Sequence, residues 1–231
     1  MAGQITALQR QRGRRERINV MVDGRFAFSA DPETVLKAGL KVGMILDDAA
    51  VARLHDQDEA VRLYNDALRF LSFRPRSSVE VERYLRGRGA DEATSASILE
   101  RLHRTGLIDD HAFARYWVEN RATFSPRGDR ALQAELRAKG VAGPEIDVVL
   151  EETDESEEDR AYRAGQKRLR LLSRLDRETF RRRMYSYLQR RGFDYETARA
   201  ATERLWAEAG GGAEDDAGTD LESESTGSDQ E

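Results

Sequence analysis

YLRGRG (residues 84–89), ELRAKG (135–140) and YLQRRG (187–192) share one pattern: a leucine, two variable residues, a base and a glycine. The leucines are Leu85, Leu136 and Leu188, and the glycines Gly89, Gly140 and Gly192 lie 51 and 52 residues apart. A leucine followed four residues later by glycine reads as the end of an amphipathic helix. The leucine packs inward, and the glycine takes the positive φ of a helix C′ position. The base sits in the last turn, where a cation complements the helix dipole. Three such ends at one spacing predict a helical unit written three times.

Apolar stripes on either side complete each unit. Val61, Tyr64, Leu68 and Leu71 recur at steps of three and four, which is one face of a helix broken by Pro75. Val81, Tyr84 and Leu85 lead to Gly89, and Ile98, Leu99 and Leu102 form a third stripe that stops at Gly106. The second unit repeats this through Phe113, Tyr116 and Trp117, then Leu132 and Leu136, then Ile146, Val149 and Leu150. The third runs through Tyr162, Leu169 and Leu172, then Met184, Tyr187 and Leu188, then Ala198, Ala201 and Leu205. Each unit of three short helices leaves apolar surface for a neighbour to cover.

The first fifty residues have a different period. RINVMVDGRFAFS (17–29) alternates on both sides of Asp23-Gly24, a dipeptide suited to a two-residue hairpin turn. The alternation puts Ile18, Val20 and Val22 on one face, and Phe26 and Phe28 together on one face of the returning strand. QITALQRQ (4–11) reads as a third strand. DPETVLKAGL (31–40) reads as a helix with Asp31 as N-cap, Pro32 at N1 and Gly39 as the stop. DDAAVARLHDQDEAVRLYNDALRFLS (47–72) is helical, as one helix or two.

The predicted fold is mainly α. Three tandem three-helix repeats form an elongated array after a small α/β N-terminal domain that contains a β-hairpin, and a disordered tail follows. The expected divisions are an N-terminal domain over 1–54, repeats over 55–108, 109–156 and 157–208, and a tail over 209–231.

Composition narrows the function. Hydrophobic residues are 39% of the 231 and charged residues 35%, which fits a thin core spread along an array. There is no cysteine, so disulfides, cysteine zinc sites and thiol nucleophiles are excluded. No apolar run of membrane-spanning length occurs, and the start lacks a signal-peptide core. His55, His103 and His111 are scattered, and no phosphate loop or nucleophile–base constellation is present. The expectation is a cytoplasmic, monomeric protein that is not an enzyme and holds no cofactor or metal.

The net charge of −5 conceals a segregation. Residues 209–231 hold eight acids and no base, so residues 1–208 carry 38 bases against 35 acids, a net of +3. Such a tail buries too little apolar area to offset its ordering entropy, hence the expected disorder. Residues 160–208 carry fourteen bases and six acids, a net of +8, after the acidic run EETDESEED (151–159).

Arginine forks match phosphate geometry, so base clusters are the candidate binding sites. The strongest is Arg181, Arg182, Arg183, Arg190 and Arg191, with few acids near it in sequence. Arg83, Arg86 and Arg88 form a second cluster, and Arg127, Arg130, Arg137 and Lys139 a third. Arg10, Arg12, Arg14, Arg15 and Arg17 form a fourth, in a strand-to-strand turn. Solvated faces with intrahelical pairing are the competing account of each. Phe113, Tyr116 and Trp117 could stack on bases, but their spacing suits a core stripe, least so for Trp117.

With these units in view the sequence resembles the RecX family. IDDHAFARYWVENR (108–121) is similar to the acidic, Phe-Ala, aromatic, Arg opening of that family's second repeat, and ELRAKGV (135–141) to its close. SSVEVERYLRGRG (77–89) fits the first repeat and RRRMYSYLQRRGFDYETARAA (181–201) the third. The hairpin and VLKAGLKVG (35–43) resemble the extra domain of longer members. FSPRGDRAL (124–132) departs from the family's Gly-rich turn, and the acidic tail is not part of its pattern. The resemblance implies a modulator that binds the RecA–single-stranded DNA filament, lodges in its groove and restrains strand exchange and co-protease activity. It places the chain in DNA repair, recombination and the SOS response. Duplex DNA is a further possible ligand. A nucleic-acid-binding repeat protein without a recombinase partner, or a protein-interaction adaptor with solvated bases, are the alternatives.

Overall fold

The computed structural model describes residues 3–11 and 16–209. The expected tail beyond Ala209, and Arg12, Arg14 and Arg15, lie outside them. The chain divides into two compact units, Met1–Phe113 and Ala114–Glu231.

The first unit opens with four antiparallel strands, β1 (Gly3–Arg10), β2 (Ile18–Val22), β3 (Arg25–Ala30) and β4 (Ile45–Leu46), in the order β3-β2-β1-β4. Asp23 and Gly24 have φ of 49° and 75°, the two positive angles that a tight hairpin turn requires. The expected sharing of one face by Phe26 and Phe28 fails. Val20 pairs with Phe28 but Met21 pairs with Phe26, so β3 carries one extra residue, and that inverts the alternation. Phe28 is buried and Phe26 is 59% exposed.

Helix α1 (Pro32–Lys37) has Asp31 as its N-cap, accepting from the Glu33 amide, and ends at Gly39 with φ of 62°. Helix α2 (Asp48–Leu71) is a single 24-residue helix that runs through the expected boundary at 54/55 without a break. Its Leu54 packs with Ile5, Val20, Phe28, Val35 and Leu46 in the N-terminal core. Its Asp58 accepts from the Asp31 amide and the Thr34 hydroxyl, and pairs with Arg17 at 2.7 Å. The later turns of α2 belong to the first repeat. There Leu63, Tyr64 and Ala67 pack on Val81 and Leu85 of α3 (Ser78–Arg86) and on Ile98 and Leu102 of α4 (Glu92–Arg104).

The second repeat is α5 (Asp110–Phe124), α6 (Asp129–Ala138) and α7 (Gly143–Glu151). Leu132, Leu136, Ile146 and Val149 are almost fully buried in it. The third is α8 (Glu157–Leu172), α9 (Arg177–Arg190) and α10 (Tyr195–Glu208), closed around Phe180, Met184, Leu188, Ala198 and Leu205.

Leu85, Leu136 and Leu188 are fully buried, and Gly89, Gly140 and Gly192 have φ of 91°, 85° and 88°. Each leucine's carbonyl accepts the amide just past its glycine, from Ala90 at 3.1 Å, Val141 at 3.1 Å and Phe193 at 3.4 Å. That 6→1 bond closes the helix end and turns the following residue, itself buried, into the core. The three sequence phrases are three copies of one helix terminus.

Within the second unit, the second and third repeats meet closely. A Cβ on Gly128 would lie 2.3 Å from the Gly192 carbonyl oxygen, so glycine alone fits before α6. Arg160 of α8 is buried and pairs with Asp129 at 2.6 Å while donating to the Arg127 carbonyl. Arg163 donates to the Ala122 carbonyl and Lys167 to that of Phe124. Glu157 accepts the Asp129 amide at 2.9 Å, the first amide of α6, and burial raises its carboxyl above its ordinary value. In the first unit, Asp110 accepts the first amide of α3, from Ser78, in the same way. The leading acid of each following repeat thus satisfies an orphan donor of the preceding middle helix.

Candidate nucleic-acid interface

Helix α9 starts at the Asp176 cap, whose carboxylate accepts the Thr179 amide. The amide and hydroxyl of Thr179 hold that carboxyl below its ordinary range, with a smaller contribution from Arg182. Phe180, Met184 and Leu188 recur at steps of four and are fully buried. That stripe fixes the rotation of the helix, so Arg182, Arg183 and Arg190 stand exposed. They border a groove of about 480 Å³ between α8 and α9, together with Arg168, Leu172, Ser186 and Tyr187.

No carboxylate among the described residues lines this groove. Among the described residues, Arg182, Arg183 and Arg190 make no salt bridge. The Tyr187 ring has the Arg168 guanidinium 5.0 Å and that of Arg191 4.9 Å from its centroid. Four guanidinium groups gathered in a groove with no lining carboxylate raise the local potential, which favours a polyanion over water. Forked donors on several turns suit successive phosphates.

Two members expected in this cluster are engaged elsewhere. Arg181, expected to have few acids near it, pairs with Glu203 of α10 at 2.7 Å. Arg191 donates to the Pro126 carbonyl at 3.0 Å and the Ser125 hydroxyl at 3.4 Å, in the seam with the second repeat. In place of these, Arg168 joins the groove. The stripe read along α8, Tyr162, Leu169 and Leu172, left out Arg168, four residues from both Ala164 and Leu172. A base in step with buried positions was the available signal.

The other clusters are more heavily compensated. In the second repeat Arg130 and Arg137 are exposed and make no salt bridge among the described residues. Arg127 lies 3.7 Å from Glu135. Lys139 sits 4.4 Å from the Trp117 ring centroid, and the indole N–H donates to Glu135 at 2.8 Å. In the first repeat Arg83 is exposed, Arg86 pairs with Glu82 at 2.5 Å, and Arg88 lies 5.2 Å from the Tyr84 ring and 3.9 Å from Asp66. The base before each repeat's glycine therefore rests on an aromatic ring, a cation–π contact. Of the N-terminal cluster, Arg10 is exposed and Arg17 is tied to Asp58 and the Ser29 carbonyl, a structural role.

Of the aromatics, Phe113 is buried as expected, while Tyr116, expected in the core, is 36% exposed. Among the described residues no three metal-ligating side chains cluster. No described helix is long and apolar enough to cross a membrane.

The family model of the regulatory protein RecX N-terminal domain matches residues 3–47. Those of the first, second and third RecX three-helix domains match residues 64–102, 109–150 and 155–202. A regulatory protein RecX of Bacillus subtilis (strain 168) is 31% identical over 202 residues, covering 87% of this chain and 76% of the relative. That of Clostridium perfringens (strain 13 / Type A) is 26% identical over 209 residues, covering 88% and 96%. A crystal structure of a regulatory protein RecX superposes with a TM-score of 0.71 at 24% identity, over 89% of this chain and 99% of that one. The RecX structure from Lactobacillus salivarius gives 0.58 at 24% identity, over 64% and 97%.

Proposed function

The chain belongs to the RecX family of regulatory proteins, and from that premise we propose that it binds RecA–single-stranded DNA filaments and restrains them. The observation that carries the DNA part is the carboxylate-free groove bordered by Arg168, Arg182, Arg183 and Arg190. Its four guanidinium groups take phosphates of the DNA, and the remaining repeats engage the recombinase. Exposed Arg83, Arg130 and Arg137 extend the basic surface, with Arg86, Arg88, Arg127 and Lys139 beside them. The consequence is lowered strand exchange and co-protease activity, by a cytoplasmic monomer that acts through binding and uses no cofactor.

The test is a RecA strand-exchange or DNA-dependent ATPase assay with substoichiometric amounts of this protein. The wild-type chain is expected to lower the rate, and a folded Arg182→Glu, Arg183→Glu, Arg190→Glu variant to lose the effect. An unchanged rate with wild type present would refute filament regulation. Full inhibition by the triple variant would remove the groove from the function.

A further inference from the structure

Helix α9 has a second groove on its other side, facing α10. It encloses about 540 Å³, and its walls include Arg181, Arg182, Tyr185, Tyr195, Arg199 and Glu203. Its chemistry differs from that of the α8–α9 groove. Arg181 is paired with Glu203 at 2.7 Å, and Arg199 lies 3.4 Å from Glu196. Tyr185 and Tyr195 meet edge to face with centroids 5.5 Å apart and planes at 72°. The Tyr185 hydroxyl accepts from Gln189, but Tyr195, the first residue of α10, is 59% exposed.

These features specify an occupant. Arg181 and Arg199 are already paired, and Glu178 and Glu203 also line the pocket, so apart from Arg182 it offers a phosphate little: an anion there meets Glu203 as well as Arg181. An exposed tyrosine ring backed by a second ring offers a flat apolar face. The ion pair at the wall offers donors and acceptors to an edge. A planar, uncharged heteroaromatic group fits all three, and a nucleobase is such a group. Arg182 is the link, because it lines both this groove and the carboxylate-free one. A strand whose phosphates lie along Arg183 and Arg190 passes Arg182 and can turn a base into the tyrosine pocket. Tyr187 cannot serve this purpose, since Arg168 and Arg191 already lie against its ring.

We propose that Tyr195 is a base-stacking residue and that the two grooves joined at Arg182 select single-stranded over duplex nucleic acid. The selectivity follows from geometry. A base in a duplex is paired and stacked, and reaches a side-chain platform only if it is flipped out at a cost of a few kcal/mol. The phosphate groove serves both forms, and the tyrosine pocket serves one. Stacking on a single ring face is sequence-tolerant, so no preference among bases follows. This inference rests on the phosphate-binding reading of the α8–α9 groove.

The experiment uses the full chain with a fluorescent oligo(dT) single strand and a duplex of equal length. The variants are Tyr195→Ala, Tyr195→Phe, and Arg183→Glu with Arg190→Glu, each checked for native helical circular dichroism. Tyr195→Ala is expected to weaken single-strand binding by about 5- to 150-fold, the range for losing one stacked base, and to leave duplex affinity within about twofold. Tyr195→Phe is expected to retain wild-type affinity for both. Photocrosslinking of a halogenated-uracil strand is expected to label the peptide that carries Tyr195. Equal weakening of both forms by Tyr195→Ala, or no weakening of either, overturns the stacking role. If the double arginine variant binds both forms as well as wild type, the phosphate reading fails first. If that variant is weakened while Tyr195→Ala binds normally, only the stacking inference fails.

Discussion

Replacing Arg183 and Arg190 together by glutamine isolates the electrostatics of the groove, because neither side chain makes a salt bridge among the described residues. Their removal leaves no buried carboxylate unpaired, so the fold is expected to survive. The groove presents four guanidinium groups, from Arg168, Arg182, Arg183 and Arg190. If each neutralises one phosphate of a single strand, the slope of log affinity against log salt is about −2.8, at about 0.7 per phosphate. Affinity then falls by about 50-fold between 50 and 200 mM salt. The double variant keeps two groups, so its slope is about −1.4 and its loss over the same range about sevenfold. Fluorescence anisotropy with a labelled oligo(dT) at four salt concentrations measures both lines. Arg115→Gln is the control. It removes a base from the second repeat, where Arg115 is exposed and paired with Glu152 at 2.8 Å. Its slope is expected to match wild type. A wild-type slope in a folded double variant would refute the phosphate assignment. An equal drop with Arg115→Gln would show that only bulk charge matters.

Leu136→Ala is expected to destabilise the chain by about 2–5 kcal/mol, since Leu136 is fully buried, and Gly140→Val to destabilise it through the positive φ at that position; thermal melts check both. For Glu157, burial raises the folded carboxyl above its ordinary 4.5, so the native state holds the proton longer than the unfolded chain. Stability therefore falls as pH rises from about that value through the raised one, and Glu157→Gln is expected to flatten this part of the curve in denaturant titrations at several pH values. Deleting residues 209–231 removes eight acids and no base, changing the net charge from −5 to +3. The truncated chain is expected to bind single-stranded DNA more tightly at low salt, with the difference closing as salt rises; equal affinities at low salt would mean that the tail's charge has no reach.

Helix ends were the most legible part of the fold because their physics is local. A buried leucine, a base and a glycine within one turn determine a 6→1 closure that needs no distant partner, and all three copies form it. Two features resisted for opposite reasons. Phe26 was misplaced because period-two reasoning has no register for an inserted residue, and the bulge in β3 inverts every position beyond it. Helix α2 reads as one helix or two, and its sequence carries polar HDQD at 55–58 between apolar residues. In the structure that polarity faces a partner: Asp58 accepts from Asp31 and Thr34 and pairs with Arg17. An interruption of an apolar stripe is equally the signature of a break and of a buried polar contact, and only the fold distinguishes them.

The site was half legible for a related reason. Counting charges along the chain identified the third repeat as basic, but pairing is decided by residues far away in sequence. Glu203 reaches Arg181 from the next helix, and the carbonyl of Pro126, 65 residues earlier, takes Arg191. What sequence could have offered is the position of bases relative to the stripe. On α8, residues 160, 164, 168 and 172 share one face at steps of four. Ala164 and Leu172 are buried, and the arginines at 160 and 168 each meet a polar or aromatic partner on another helix. Arg160 does so inside the seam, where Asp129 and the Arg127 carbonyl take it. Arg168 does so at the groove, where the Tyr187 ring supports it and its charge remains open to solvent. One face of one helix thus fixes the third repeat to the second and sets a cation at the edge of the groove.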